Sequence, residues 1–219
     1  MISGGMYAGK SSELIRRIER ARIARVAVQV FKSHLDTRYA GPKALSTHSG
    51  KDIDGVYPIA GAADIRRLLD PMVNVIAVDE AQFLDDDIVP CLSSLAGEGY
   101  RVIVAGISTD FRGLPFGPMP ELMAIADDVT VLKAICVVCG DEAIRTQRLI
   151  HGQPARFDSP QILVGSADSY EARCRHCHTV LQAETHDQQG RTLTPDFRPR
   201  SEAVSASSGD VTRREPEAK

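Results

Sequence analysis

A glycine-rich stretch near the first residue most constrains what this chain can fold into. Gly4 is followed by four residues and then by Gly9, Lys10 and Ser11, which fits G-x-x-x-x-G-K-[ST]. Glycines permit the positive φ angles and the close backbone approach that a phosphate-binding loop needs. The pattern predicts that Lys10 contacts the β- and γ-phosphates and that the Ser11 hydroxyl binds Mg²⁺. The alternative is a chance glycine-rich turn.

The segments on either side of this loop fit the prediction unequally. Leu14, Ile15 and Ile18 recur at helical spacing and predict a helix over residues 11–24, whose N-terminal dipole favours bound anions. A phosphate loop should also follow a strand, and only residues 1–3 precede Gly4. We therefore expect either a strand stub, which would anchor the loop poorly, or a start further upstream.

Short apolar runs alternate with helical segments along the first part of the chain. Runs rich in Val and Ile predict strands buried on both faces at residues 26–31, 73–78 and 101–107. Helical stretches at residues 61–70 and 87–99 lie between them. This alternation predicts the α/β class with a parallel sheet.

A pair of carboxylates follows the second of these strands. In P-loop proteins an acidic residue at this position holds Mg²⁺, which assigns that role to Asp79 and leaves Glu80 near the γ-phosphate. Glu80 would accept a proton from an attacking hydroxyl, or position water and make the protein an ATPase. The structural alternative is that both carboxylates only cap the following helix.

Four of the five cysteines form two C-x-x-C pairs: Cys136, Cys139, Cys174 and Cys177. In a protein of the cytosol, such pairs favour metal over disulfides, and four thiolates predict a closed, structural Zn²⁺ site at the base of a loop. A redox pair is the alternative, and His176 and His178 are competing ligands. Cys91 lies among leucines at helical spacing and is predicted to be a core thiol.

Composition limits the remaining possibilities. A chain of 219 residues with 43% hydrophobic residues supports one core, or one core with a small satellite. A net charge of -3 without a basic stripe argues against a protein that coats nucleic acid. Since no segment resembles a signal peptide or a membrane span, we expect a soluble, cytoplasmic protein. The polar residues 186–219 predict a disordered tail.

Seven motifs follow one another along the chain in the same order as in a known protein family. They are GGMYAGKSSELIRR, LDTRY, VDEAQF, TDFRGLPFG, LKAICVVCG, TQRL and VGSADSYEARCRHCH. Over residues 4–182 the chain resembles the type II, zinc-containing thymidine kinases. The resemblance implies a P-loop (RecA-like) parallel sheet flanked by helices over residues 1–133. It further implies a small zinc-binding lasso domain over residues 134–185, which closes over the nucleoside, and leaves the tail at residues 186–219.

The resemblance implies transfer of the γ-phosphate of Mg-ATP to the 5′-hydroxyl of thymidine or deoxyuridine, with Glu80 as catalytic base. It implies these contacts to ATP: Gly4, Gly5, Met6, Tyr7, Ala8, Gly9, Lys10, Ser11, Asp79 and Gln82. Ser11 and Asp79 would bind magnesium, and Lys10 and Arg38 would contact phosphate. The implied nucleoside site is Met6, Phe83, Phe111, Phe116, Thr146 and Tyr170. The family also implies a homotetramer, with neither nucleic acid nor membrane as a partner.

Some of these residues have simpler interpretations, and some depart from the family pattern. Phe111 and Phe116 either stack on a base or only pin a glycine-rich loop. Four arginines either face phosphate or form a solvated surface: Arg145, Arg148, Arg173 and Arg175. Gly5 replaces the usual proline and should loosen the phosphate loop. Ser108 replaces the usual aspartate, which puts a local hydrogen bond in doubt.

Two other functions stay open from the sequence. A nucleic-acid-dependent ATPase with a zinc module would share the D-E-A-Q stretch and the cysteine pairs, but the chain is too short for a second motor domain. An inactive, zinc-stabilised scaffold is disfavoured because Lys10, Ser11, Asp79 and Glu80 are all intact.

Overall fold

The computed structural model describes residues 1–35, 44–46, 52–162, 168–182, 185–186 and 192–193. Met1–Leu181 form one compact unit and Gln182–Lys219 form a second. Arg38 lies outside the described residues, as do residues 163–167 of the predicted lasso.

A parallel sheet forms the centre of the first unit. The first eight strands are β1 (Ile2–Gly4), β2 (Val28–Ser33), β3 (Ala44–Ser46), β4 (Asp52–Asp54), β5 (Val56–Ile59), β6 (Val75–Asp79), β7 (Arg101–Gly106) and β8 (Thr130–Leu132). Six of them form the sheet in the order β5-β2-β6-β7-β1-β8. All neighbours in this sheet are parallel, whereas β3 and β4 pair separately as an antiparallel hairpin. The predicted parallel α/β sheet is confirmed.

Helices cover both faces of this sheet: α1 (Lys10–Ile23), α2 (Ala62–Leu68), α3 (Ile88–Gly97) and α4 (Met119–Ile125). Val75 and Ala77 of β6 pack in one core cluster with the apolar side of α1. Ile76 and Val78 pack in the other cluster with residues of α2, α3 and α4. Every residue of β6 is buried, which confirms the predicted burial of this strand on both faces. Within the described ranges, no helix has the length and apolarity needed to cross a lipid bilayer.

The short first strand is held on both sides. Ile2 is fully buried and pairs with Ala105 of β7 and Thr130 of β8. The amino group of Met1 donates a hydrogen bond to the carbonyl oxygen of Asp128 at 2.8 Å. The first strand is a stub of three residues, and the sheet holds it between β7 and β8, contrary to the expected poor anchoring.

Short antiparallel strands follow the parallel sheet: β9 (Ala134–Ile135), β10 (Glu142–Ala143), β11 (Arg145–Ile150), β12 (Gln153–Pro154) and β13 (Asp168–Arg173). β9 pairs with β10, and β11 pairs with both β12 and β13. These antiparallel strands begin at Ala134, the residue at which the resemblance places the start of the zinc-binding lasso domain.

In the second unit, strands Thr185–His186 and Thr192–Leu193 pair in antiparallel orientation. Most of residues 186–219 lie outside the described residues, so the disordered tail stays a prediction.

Candidate active site

The phosphate-loop motif joins β1 to α1, as its spacing predicted. Gly4 has a φ of 156°, and a Cβ atom built there would lie 2.5 Å from the carbonyl oxygen of Leu132. Gly9 has a φ of 83° immediately before the first turn of α1. Side chains are disfavoured at both positions, at Gly4 by contact and at Gly9 by backbone conformation. The glycines are therefore required by the strand–loop–helix geometry.

The loop is tied to the antiparallel region through Met6. Its backbone N–H donates to the Thr146 hydroxyl oxygen on β11 at 3.0 Å. A Cβ built on Gly5 would lie 3.4 Å from that same oxygen, an ordinary contact distance. Gly5 was expected to loosen the loop, and this long-range hydrogen bond restrains the adjacent residue.

The predicted phosphate-binding side chains converge at one edge of the sheet. Lys10 is buried, and its ammonium group donates to the carbonyl oxygen of Gly5 at 2.8 Å. The Ser11 hydroxyl donates to Asp79 Oδ2 at 3.2 Å. Asp79 ends β6, which is separated from β1 by β7, and the carboxyl ends of parallel strands meet at the same edge. A hydroxyl and a carboxylate at this distance fit the oxygen ligands that Mg²⁺ prefers.

Asp79 lies in an environment that disfavours its negative charge. Asp79 is 2% exposed. Burial is the main cause that raises the pKa of Asp79 to about 7, and the neighbouring Glu80 carboxylate is the second cause. The cationic side chains of Lys10 and Lys32 oppose that rise. A bound cation would favour the carboxylate form further.

Lys32 lies beside Asp79, and none of the sequence motifs includes it. It is buried on β2 and pairs in register with Asp79 of β6. The sequence did contain an indication of this position. Lys32 is a charged residue directly after the predicted strand 26–31, and the next predicted strand, 73–78, is followed by the carboxylate of Asp79.

Glu80 occupies the turn between β6 and a 3-10 helix, Ala81–Phe83, with a φ of 54°. Its carboxylate accepts a hydrogen bond from the side-chain amide of Gln82. The 3-10 helix has no side-chain cap, and α3 begins after Asp87. The interpretation of Asp79 and Glu80 as helix caps is therefore wrong for these described elements.

Phe111 and Phe116 lie on the loop after β7, and Phe83 ends the 3-10 helix after β6. Phe83 and Phe116 form an edge-to-face pair with centroids 5.5 Å apart, and Phe111 is almost fully buried. The guanidinium of Arg148 lies 5.2 Å from the centroid of the Phe111 ring, and that of Arg112 lies 5.5 Å from it. These contacts support the interpretation that the aromatic residues pin the loop, and their role in nucleoside binding stays a prediction.

Asp110 closes this loop. Its carboxylate accepts from the backbone N–H of Arg112 at 2.9 Å and from that of Leu114 at 3.0 Å. Ser108 stands where the family usually has an aspartate. Its backbone carbonyl oxygen accepts a hydrogen bond from the N–H of Phe116 at 3.2 Å. The loop is thus closed by hydrogen bonds that do not need an acidic side chain at Ser108.

Strand β11 connects the surrounding loops through its side chains. Arg145 donates to the carbonyl oxygen of Gly113 at 3.1 Å. The amide of Gln147 donates to the carbonyl oxygen of Thr179 and accepts from its N–H, both at 2.8 Å. Arg148 is 0% exposed and donates to the carbonyl oxygen of Pro160 at 2.7 Å. The interpretation of the arginines as a solvated face is wrong for Arg148. Tyr170, on β13, is half-buried opposite it.

The four cysteines of the C-x-x-C pairs meet at one point. The sulfur atoms of Cys136, Cys139, Cys174 and Cys177 all lie within 4.8 Å of one another. Such a donor set fits tetrahedral Zn²⁺, and convergence favours one metal site over two separate redox pairs. His178 is not part of this cluster, and its Nε2 lies 2.8 Å from the carbonyl oxygen of Phe111.

Ionisation of all four thiols together is disfavoured unless a cation compensates their charge. Burial opposes ionisation of Cys136, but backbone N–H groups, led by that of Cys174, lower its pKa to about 6. Hydrogen bonding to the neighbouring Cys174 and Cys139 sulfurs, together with burial, raises the pKa of Cys177 to about 12. A divalent cation at the centre would stabilise the thiolate form of all four.

The cysteine cluster also contacts the phosphate loop. Cys136 and Cys174 belong to a small buried cluster against which Ala8 of the loop packs. The fifth cysteine, Cys91, is buried in the main core with its sulfur 3.9 Å from the carbonyl oxygen of Ala62, which confirms it as a core thiol.

A phosphate-loop motif on a parallel sheet, with carboxylates at the same edge of that sheet, defines the P-loop class of protein, here with a four-cysteine cluster beside the loop. The model of the thymidine kinase family matches residues 1–178. Because the match covers most of the chain, the protein belongs to the thymidine kinase family. The match supports a nucleoside kinase with thymidine kinase function and gives no support to a nucleic-acid-dependent ATPase.

Arg148 should be important for stability. Replacing it with Met removes the charged donor to Pro160 and the cation beside Phe111, so we expect the free energy of unfolding to fall by about 2 kcal/mol. Urea unfolding measures the change. Arg156→Met is the matched control, because Arg156 forms a surface ion pair with Asp158 at 3.1 Å and should change stability by less than about 1 kcal/mol. Equal losses in the two variants would contradict the prediction.

Proposed function

We propose that the protein transfers the γ-phosphate of Mg-ATP to the 5′-hydroxyl of thymidine, and to that of deoxyuridine, as an enzyme of nucleotide salvage. The observation that carries the proposal is the contact of Ser11 with Asp79, next to Glu80, in a chain of the thymidine kinase family. This contact brings the phosphate loop and the candidate base to the same edge of the sheet.

On the ATP side, we assign the triphosphate to the loop from Gly4 to Ser11. Lys10 would exchange its hydrogen bond with the Gly5 carbonyl for one with the β- and γ-phosphates. Ser11 and Asp79 would hold Mg²⁺, which when bound neutralises charge on the phosphates. Arg38 stays a predicted phosphate contact outside the described residues. The burial of the Asp79 carboxyl group and its hydrogen bond with Ser11 support this assignment.

Glu80 is assigned as the general base. Its carboxylate accepts the proton of the 5′-hydroxyl while the hydroxyl oxygen forms a bond to the γ-phosphorus. The bond between the γ-phosphorus and the bridging oxygen breaks, so that ADP leaves with that oxygen. The remaining catalysis comes from positioning of the two substrates and stabilisation of charge.

The nucleoside is assigned to a wall formed by Met6, Phe83, Phe111, Phe116, Thr146 and Tyr170. Thr146 supports this assignment because its hydroxyl already contacts the phosphate loop through Met6. The stretch between the cysteine pairs would close over thymine. We accordingly assign residues 1–133 to the P-loop domain, residues 134–185 to the lasso domain and residues 186–219 to the tail. A homotetramer in the cytoplasm completes the proposal, by analogy with the family.

Phosphate transfer from labelled ATP tests the proposal directly. With Mg²⁺ present, the purified protein is offered thymidine, deoxyuridine, deoxycytidine and deoxyguanosine in separate reactions. We expect label in the monophosphates of thymidine and deoxyuridine and little in the other two. Lys10→Met is the control for contaminating kinases and should remove the transfer. Release of free phosphate with no labelled nucleotide would instead support an ATPase.

A further inference from the structure

We propose that Gln82 is a positioning residue that orients the carboxylate of Glu80, and that it does not contact ATP. The proposal deepens the assignment of Glu80 as general base and rests on it. It concerns a residue whose type and position in the sequence do not distinguish the two roles.

Both polar atoms of the Gln82 side chain already have partners. The Nε2 group donates to the carboxylate of Glu80, and Oε1 accepts from the backbone N–H of Ile107 at 2.9 Å. The N–H of Ile107 can only donate, so it fixes Oε1 toward β7 and leaves the donating Nε2 toward Glu80. The orientation of the amide therefore follows from its surroundings.

The side chain also has little room to turn away. Gln82 is 2% exposed. A Cβ atom built on Gly106 would lie 2.9 Å from its Oε1, and one built on Gly117 would lie 2.3 Å from its backbone oxygen. The two glycines therefore let the end of β7 and the loop before α4 close around Gln82. A contact with ATP would have to use the second N–H of Nε2, in a side chain that is almost fully enclosed by protein.

The carboxylate of Glu80 benefits from such a support. Glu80 has a φ of 54°, a backbone conformation that non-glycine residues adopt uncommonly, in the turn directly after β6. The Gln82 amide connects this turn to the end of β7, a neighbouring strand of the same sheet. If a general base is held in one orientation before the substrate arrives, less free energy is needed to reorient it in the transition state.

Gln82→Glu changes the contact with Glu80. The new side chain keeps an oxygen that accepts from Ile107, but it replaces the donor that faces Glu80 with a second carboxyl group. We expect kcat to fall about 10-fold or more, with the KM for ATP and for thymidine changed by less than about 2-fold, since the base loses its donor and faces a like charge while the substrate contacts are unchanged. A direct contact to ATP predicts the opposite pattern, a raised KM for ATP with kcat preserved, and that result would overturn the proposal.

A double-mutant cycle separates positioning from a general structural effect. In a Glu80→Gln background, Gln82→Glu should cause no further loss of kcat, because the group that it positions is already absent. An independent, additive loss would overturn the proposal, as would a kcat of Gln82→Glu close to that of the wild type. Glu80→Gln alone reports on the base: if that variant keeps its turnover, the assignment of the base fails, and the positioning proposal fails with it. Lost turnover in Glu80→Gln beside unchanged kcat in Gln82→Glu would overturn the positioning role alone.

Discussion

Replacing Glu80 with Gln should remove most phosphate transfer while leaving ATP binding nearly unchanged. The amide has the size of the carboxylate but cannot accept the proton of the attacking hydroxyl, and general base catalysis typically contributes about 100-fold to 10,000-fold in rate. We therefore expect kcat to fall at least about 100-fold. Single-turnover transfer of labelled phosphate to thymidine measures the chemical step, and equilibrium titration with ATP measures binding.

Glu98→Gln is the matched control for this experiment. It makes the same chemical change at a partly exposed residue paired with Arg66 at 2.9 Å, at the end of α3. Its turnover should stay near that of the wild type. A near wild-type rate in Glu80→Gln would contradict the assignment of the base. Loss of ATP binding in that variant would show instead that Glu80 supports the phosphate loop.

The parts of the site that could be predicted from sequence are those set by short-range spacing. The glycine pattern from Gly4 to Ser11 requires a strand, a loop and a helix in succession, and β1 and α1 provide them. Apolar runs without alternation identified β6 as a strand buried on both faces, and its end therefore placed Asp79 at the carboxyl edge. Two cysteine pairs likewise predict their own convergence, because the metal site needs all four thiolates.

The partners of buried polar side chains could not be predicted in this way. Arg148 lies in a run of polar residues that is typical of a solvated strand, yet it contacts the ring of Phe111 and the carbonyl oxygen of Pro160. Gln82 likewise contacts Ile107, which is 25 residues away in the chain. Such contacts depend on how separate loops pack around β7 and β11, and no local pattern encodes that packing. For the same reason, the loop motif did not predict the hydrogen bond from Met6 to Thr146, which restrains the residue next to Gly5.

Loss of zinc should impair both sides of the active site. Cys136→Ser removes a buried ligand from the cluster against which Ala8 of the phosphate loop packs. We expect loss of bound zinc and a fall in Tm of about 10 °C, since a structural metal contributes directly to folding and each kcal/mol shifts Tm by about 2–4 °C in a chain of this size. The KM for thymidine should rise because the metal no longer holds together the two ends of the loop between the cysteine pairs. The contact with Ala8 predicts that the KM for ATP rises as well.

Cys91→Ala distinguishes loss of the metal from loss of a buried thiol. Cys91 lies in the main core rather than in the cysteine cluster, so this variant should lose some stability but keep its zinc and both KM values. Metal analysis, thermal unfolding and steady-state kinetics are measured on both variants. A zinc-free Cys136→Ser protein with an unchanged KM for thymidine would contradict the role of the metal in the nucleoside site. If the KM for thymidine rose and the KM for ATP did not, the cluster would support only the nucleoside side, and the packing of Ala8 would have no effect on the phosphate loop.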